Sequence, residues 1–161
     1  MQYFDNAFAD QRFTLIGSRL ASAVDAAEPR LRAIGDERAG APLAPGKWSR
    51  KQILGHLVDS AANNHQRFVV GQSVAELRLP GYAQEHWVAT QRYGERAWPE
   101  LIELWASYNR HLAHVIAAIP ESLRDVPCAI GDNPPVTLSH LALDYVGHLQ
   151  HHHRQMFAET A

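Results

Sequence analysis

The sequence predicts an all-α fold, and a four-helix bundle is the architecture that explains it most simply. Apolar residues recur at steps of three and four in four separate segments, the spacing that gives a helix one apolar face. No segment shows the alternation of apolar and polar residues that is typical of a strand. Four amphipathic helices need partners for their apolar faces, and a bundle supplies them. A chain of 161 residues is expected to form one domain, over residues 1–161.

The first two predicted helices lie in the N-terminal half of the chain. The apolar face of the first consists of Phe13, Ile16, Leu20, Ala23 and Ala27. Its end is left open, because Pro29 interrupts the pattern and Leu31 and Ile34 resume it. The second begins after Ser49, since Gln52 three residues later completes the spacing of a capping box. Its length is about twenty residues, and its buried side consists of Ile53, Leu54, Leu57, Val58, Ala61, Phe68 and Val69.

A long connection is predicted between the second and third main helices. It contains a turn at Leu79-Pro80-Gly81-Tyr82 and a short helical segment over residues 84–93. Residues 35–47 and 127–135 are rich in glycine, alanine or proline, and we expect them to be loops. The connection is therefore longer than an up-and-down bundle requires.

The last two predicted helices have the clearest apolar patterns. Pro99 suits the first turn of the third helix and Pro120 marks its end. Its apolar face consists of Trp98, Leu101, Trp105, Tyr108, Leu112, Val115 and Ile119. Thr137 is a candidate N-cap for the fourth helix. The pattern of that helix begins apolar and becomes polar: Leu138, Leu141, Tyr145, His148, His152 and Gln155.

Composition excludes several classes of protein. A net charge of -2, with 46% hydrophobic and 20% charged residues, disfavours a disordered chain and a basic nucleic-acid binder. The longest apolar run, Val115 to Ile119, is far shorter than the about 20 residues of a membrane-spanning helix. No basic start followed by an apolar stretch is present, so we expect no secretory signal. The single cysteine, Cys128, excludes an internal disulfide and suits a cytoplasmic protein.

Ten histidines are the unusual feature of the composition. His148 and His152 are four residues apart, so on a helix both imidazoles lie on one face and can bind one ion. The HxxxH pair alone is a weak motif, and it lacks the built-in general base of HExxH. The pair continues the face of Leu141 and Tyr145, which should point into the bundle. Buried imidazoles need polar partners, and a shared metal would satisfy both.

A catalytic metal site usually has three protein ligands and one open position, so a third ligand is expected from another helix. His56, His65 and His111 are the candidates, and periodicity does not choose among them. His56 lies on a polar strip of its helix, which is either a solvated face or the lining of a polar cavity. His151 and His153 fall on other faces, and we interpret them as residues beside the ligands or at the surface.

Four stretches of the sequence, in this order, resemble the DinB-like superfamily, in particular its YfiT-like metal-dependent hydrolases. They are WSRKQILGHLVDS at residues 48–60, Pro80-Gly81-Tyr82 followed by Trp87, YNRHL at residues 108–112, and DYVGHLQHH at residues 144–152. The resemblance covers about residues 45–157. Each motif is degenerate, but the ordered set is fairly specific.

This resemblance implies a four-helix bundle with one divalent metal ion, held by one histidine of the second helix and two of the last. Zinc and nickel are the first candidates, although imidazole also suits copper and iron. By residue, the implied ligands are His56 in GHL and His148 and His152 in HxxxH. Related bundles include bacterial thiol S-transferases, so a low-molecular-weight thiol is an implied cofactor. His153 departs from the family pattern, in which a bulky apolar residue is expected.

The expected function is that of a metal-dependent hydrolase or thiol S-transferase acting on a small molecule, with an open metal position for water or thiolate. The alternative is a non-catalytic stress-response or binding bundle in which the metal is structural. No nucleic acid or membrane is expected as a partner. Exposed bundle faces would suit a homodimer.

Four residues are predicted to bind the substrate. Asn63 and Arg67 share the polar strip of His56 and could hold a carboxylate, although a surface role is the alternative. Tyr82 and Trp87 could cover the mouth of the site, or simply anchor the connection. Two further carboxylates are expected to accept hydrogen bonds from the ligand histidines: Asp59 and Asp144. No catalytic acid or base is assigned.

Overall fold

The computed structural model describes residues 12–158, in which the chain forms six α-helices and one three-stranded sheet. The helices are α1 (Phe13–Arg32), α2 (Asp36–Gly40), α3 (Arg50–Val70), α4 (Gln84–Gln91), α5 (Trp98–Ala117) and α6 (Leu138–Phe157). The strands are β1 (Leu77–Leu79), β2 (Pro127–Ile130) and β3 (Val136–Thr137). Residues 1–11, where we expect no secretory signal, and 159–161 lie outside this range. None of the described helices is long and apolar enough to cross a membrane.

The four long helices α1, α3, α5 and α6 form the predicted four-helix bundle, which confirms the fold class. Helix α5 packs against both α1 and α3, while α6 packs against the other side of the same pair. The α1–α5 contact is close at Gly17, where a Cβ atom would lie 2.5 Å from the carbonyl oxygen of Ala113. The largest fully buried side chains include Trp98, Trp105 and Phe68. The apolar faces predicted from the sequence therefore meet in one core, except that Val69, near the end of α3, is 48% exposed and its predicted burial is wrong.

Local hydrogen bonds set the starts of the two helices that carry the candidate ligands. The Oγ atom of Ser49 accepts from the backbone N–H of Gln52, and the side chain of Gln52 accepts from the backbone N–H of Ser49, which confirms the capping box. At α6, Oγ1 of Thr137 accepts from the N–H of His140, so the predicted N-cap is also confirmed. The open end of α1 is settled too, because the helix continues through Pro29 to Arg32.

Asp36, in the short helix α2, holds the starts of α3 and α5 together. Its Oδ2 atom accepts from Nζ of Lys51 at 2.9 Å, and its Oδ1 atom accepts from the backbone N–H of Trp98 at 2.9 Å. The indole N–H of Trp98 donates to the carbonyl oxygen of Leu31 at the end of α1. These contacts fix the position of α3 relative to the rest of the bundle.

The small sheet differs from the prediction, since residues 127–135 were expected to be a loop. Strand β2 pairs in parallel with β1, with Leu77 opposite Cys128, and antiparallel with β3, with Cys128 opposite Val136. Strands of two to four residues are too short for an alternating pattern to be recognised. The sheet joins the segment after α3 to the segment before α6 and so ties together the two helices that carry the candidate ligands.

Candidate metal centre

Three histidine side chains from two helices converge at one point of the bundle. His56 belongs to α3, and His148 and His152 belong to α6. The Nε2 atom of His148 lies 3.1 Å from Nε2 of His56 and 3.1 Å from Nε2 of His152. One ring nitrogen of each residue lies within 4.8 Å of the other two. The geometry thus brings together the three histidines that the family resemblance implies.

The environment of α3 explains why periodicity alone could not select His56. Every residue from Ile53 to Ala61 is buried, so the polar strip of the helix is covered as well as its apolar side. The rings of His56 and His148 are 5.1 Å apart between centroids, and those of His56 and His152 are 5.0 Å apart. Around His56 the strip therefore faces α6, not solvent.

Burial keeps the three imidazoles neutral. It lowers the pKa of His56 to about 4, with a smaller contribution from the neighbouring His152. Burial, together with the adjacent imidazoles, lowers the pKa of His148 to about 3. The pKa of His152 is also lowered, mainly by burial. Neutral imidazole is the form that donates a lone pair to a metal, so all three side chains are in the ligating state near pH 7.

The hydrogen bonds of His56, His148 and His152, called the trio below, suit a divalent cation. The Nδ1–H group of His152 donates to Oε1 of Gln155 at 2.8 Å, so its Nε2 atom carries the free lone pair. Nε2 of His148 has one proton or one lone pair, so only one of its two 3.1 Å contacts can be a well-directed hydrogen bond. A cation between the rings would accept a lone pair from each of the three. The donor set fits zinc and other imidazole-binding metals.

A polar cavity of about 290 Å³ adjoins the trio. Two predicted substrate-binding residues, Arg67 and Tyr82, line it together with His56 and His148. The remaining lining residues are Ser60, Asn64, Gln84, Asn133, Leu141, Asp144 and Tyr145. Ser60 and Asn64 were not among the predicted substrate-binding residues, although they follow His56 by four and eight residues and so lie on the same face of α3.

The other two predicted substrate-binding residues lie next to this cavity. Asn63 and Trp87 line an adjoining recess of about 310 Å³, which Arg67 and Tyr82 also line. The rings of Tyr82 and Trp87 are 5.1 Å apart. The four residues are therefore close neighbours, but only Arg67 and Tyr82 share a cavity with the histidines.

Asp59 does not have the predicted role of accepting from a ligand histidine. Its Oδ1 atom accepts from the hydroxyl of Tyr93 at 2.6 Å and from the side-chain amide of Gln91. Its Oδ2 atom is buried and has no hydrogen-bond partner among residues 12–158. Burial accordingly raises the pKa of this carboxyl. Asp59 thus attaches α4 and the following turn to α3, whereas Asp144 lines the histidine cavity.

The remaining histidines lie outside the trio. His65 and His111 form a separate pair with ring centroids 5.1 Å apart, and Nδ1 of His65 lies 3.2 Å from the hydroxyl oxygen of Tyr108. His151 is exposed beside His152. His153 is buried against Trp105, so of its two interpretations, beside the ligands or at the surface, the surface position is wrong.

Comparisons with known proteins agree with the fold and the resemblance. The family model of the DinB superfamily matches residues 19–156. Among solved structures, YfiT from Bacillus subtilis, described as a probable metal-dependent hydrolase with an unusual four-helix bundle topology, superposes with a TM-score of 0.74. The two sequences are 16% identical, and the alignment covers 95% of this chain and 86% of YfiT. No curated protein gives a significant match.

The family match includes most of each of the four helices of the bundle and the three converging histidines. The solved structure has the same architecture over nearly the whole chain. The chain belongs to the DinB superfamily.

Proposed function

We propose that this protein is a metal-dependent enzyme acting on a small molecule, with His56, His148 and His152 as the ligands of one divalent cation. The observation that carries the proposal is the convergence of three neutral imidazoles at a polar cavity. Zinc and nickel are the first candidates, because imidazole suits both. The description of YfiT as a probable metal-dependent hydrolase supports the same class of activity.

A bound cation would lower the pKa of a coordinated water or thiol and so supply a nucleophile near neutral pH. The chain itself supplies orientation. Gln155 fixes the tautomer of His152, and the buried position of His56 excludes bulk water from one side of the site. Arg67 and Tyr82 place polar groups along the cavity, where they can bind a substrate.

Hydrolysis and thiol transfer remain the two versions of this proposal, and a purely structural ion is the alternative. Among residues 12–158, the cluster of potential ligands around His56 consists of three histidines. Structural zinc sites are closed by four protein ligands, whereas catalytic sites have three and keep one position open. The ligand count therefore favours an enzyme over a structural site.

Cobalt substitution tests the open position. We expect the visible bands of the cobalt protein to change when 2-mercaptoethanol binds, if thiol transfer is the activity, and to change with pH near neutrality in either version. The Cys128→Ser variant is the control for a response that comes from the protein's own thiol. Its bands should match those of the wild type, because the Cys128 thiol is buried and burial raises its pKa to about 11. Bands that respond to neither thiol nor pH would show a closed site and contradict the enzymatic proposal.

A further inference from the structure

The guanidinium of Arg67 is a half-buried positive charge with no counterion among residues 12–158. Its Nη1 atom donates to Oδ1 of Asn64 at 3.3 Å, and no carboxylate among the described residues pairs with it. Its electrostatic neighbours, Tyr82 and Cys128, are neutral groups near pH 7 because burial raises the pKa of each. By contrast, the exposed Arg110 contacts both Asp25 and Glu28. A partly desolvated cation costs free energy unless an anion joins it.

The position of Arg67 relative to the histidines is set by α3. The residues of this helix that line the cavity are His56, Ser60, Asn64 and Arg67, at steps of four, four and three, which place them on one face. At about 1.5 Å per residue, the Cα atoms of His56 and Arg67 are roughly 16 Å apart. The Arg67 side chain reaches back toward Asn64, so its guanidinium lies roughly 10 to 14 Å from the centre of the trio.

We infer that Arg67 binds the carboxylate of an elongated, singly charged substrate whose reacting group lies at the three histidines. This inference rests on the proposed function. A planar guanidinium matches a carboxylate with two parallel hydrogen bonds. Arg67 is the one arginine or lysine among the described residues that line the cavity, so the anionic end of the substrate is directed toward it. One cation at that end suits a carboxylate better than a doubly charged phosphate.

The spacing also limits the length of the substrate. Part of the distance between the trio and the Arg67 guanidinium is occupied by the two contacts. A bond from the metal to the substrate is about 2 Å long, and a hydrogen bond to Arg67 is about 2.9 Å long between heavy atoms. Together with the carboxyl groups themselves, these leave roughly 4 to 7 Å, or about three to five carbon–carbon bonds, between the two bound groups. A cavity of about 290 Å³ has room for a molecule of this size.

Calorimetry with straight-chain dicarboxylates, from malonate to suberate, tests the inference on the zinc-loaded protein. One carboxylate imitates the group at the histidines and the other the group at Arg67. We expect the affinity to be highest for a chain between succinate and adipate. Arg67→Met should weaken this binding about tenfold or more, and Arg67→Lys, which keeps the charge without the planar fork, should have an intermediate effect. Arg78→Met is the matched control, because Arg78 is exposed and paired with Glu76.

The metal-free protein separates this inference from the proposed function. Without zinc, we expect weaker dicarboxylate binding that has no preferred length but still depends on Arg67. Equal affinities for wild type and Arg67→Met in both forms would overturn the inference while leaving the metal proposal intact. An affinity of the zinc-loaded protein that does not vary with chain length would also overturn it, because the two ends of the cavity would then not act on one ligand.

Discussion

His153 is a polar residue buried in the core, and its surroundings give this burial a physical cost. The ring is buried, with its centroid 5.3 Å from that of Trp105, and its Nε2 atom has no hydrogen-bond partner among the described residues. Burial, with smaller contributions from His152, Arg30 and Arg154, lowers its pKa to about 4. The side chain is therefore neutral at pH 7 and opposes protonation.

Replacing His153 with phenylalanine should reduce the acid sensitivity of the fold. Because the folded-state pKa lies below the usual value of about 6.5, the folded protein binds fewer protons, and stability is lost as pH falls from 6.5 toward 4. His153→Phe removes this source of acid sensitivity. Between pH 6.5 and 4, we expect the free energy of unfolding of the metal-free variant to fall by about 1 to 3 kcal/mol less than that of the metal-free wild type. Urea unfolding at several pH values measures the difference.

The control for this experiment is His114→Gln, which changes a histidine that is exposed on α5. A His153→Phe protein that loses as much stability between pH 6.5 and 4 as the wild type would show that His153 does not resist protonation in the fold.

At the scale of elements, α3 is enclosed by the turn that follows α4. A Cβ atom on Gly55 would lie 2.1 Å from the ring of Tyr93, so glycine is needed for this close approach. The hydroxyl of the same tyrosine donates to Asp59, one turn further along α3. The contact thus secures the segment that covers the helix of His56.

Gly55→Ala should therefore destabilise the protein, although alanine is the better helix former by about 1 kcal/mol. Displacing the Tyr93 ring and its hydrogen bond should lower the free energy of unfolding by about 2 to 3 kcal/mol. Gly94→Ala is the matched control, because a Cβ there meets nothing within 4 Å. Thermal and urea unfolding of both variants test this, and a Gly55→Ala protein as stable as Gly94→Ala would contradict the close contact.

Helix boundaries could be predicted because the interactions that set them are local. The capping box of Ser49 and Gln52 and the cap of Thr137 each join residues three apart. The sheet could not be predicted, since Leu77 pairs with Cys128, far away in sequence, over strands of only a few residues. Tertiary contacts, not local preference, create those strands.

At the scale of the whole molecule, the bundle was predictable because four apolar patterns had to meet. Two of the three candidate ligands were predictable in the same way, since His148 and His152 are neighbours on one helix. His56 could not be predicted as the third ligand from its helix alone, because only the packing of α3 against α6 buries this part of the helix. The family resemblance was needed to identify His56. Tertiary structure likewise decides that Arg67 and Tyr82 line the cavity of the histidines, whereas Asn63 and Trp87 line only the adjoining recess.

The most direct test of the central claim is the metal content per chain of untagged protein, measured by elemental analysis for the wild type and single variants. We expect near-stoichiometric divalent metal in the wild type and in the controls His65→Ala and His111→Ala. His56→Ala, His148→Ala and His152→Ala should each lose most of it, because two imidazoles hold a metal ion far less tightly than three. Full metal content in all three of these variants would contradict the assignment of the metal centre.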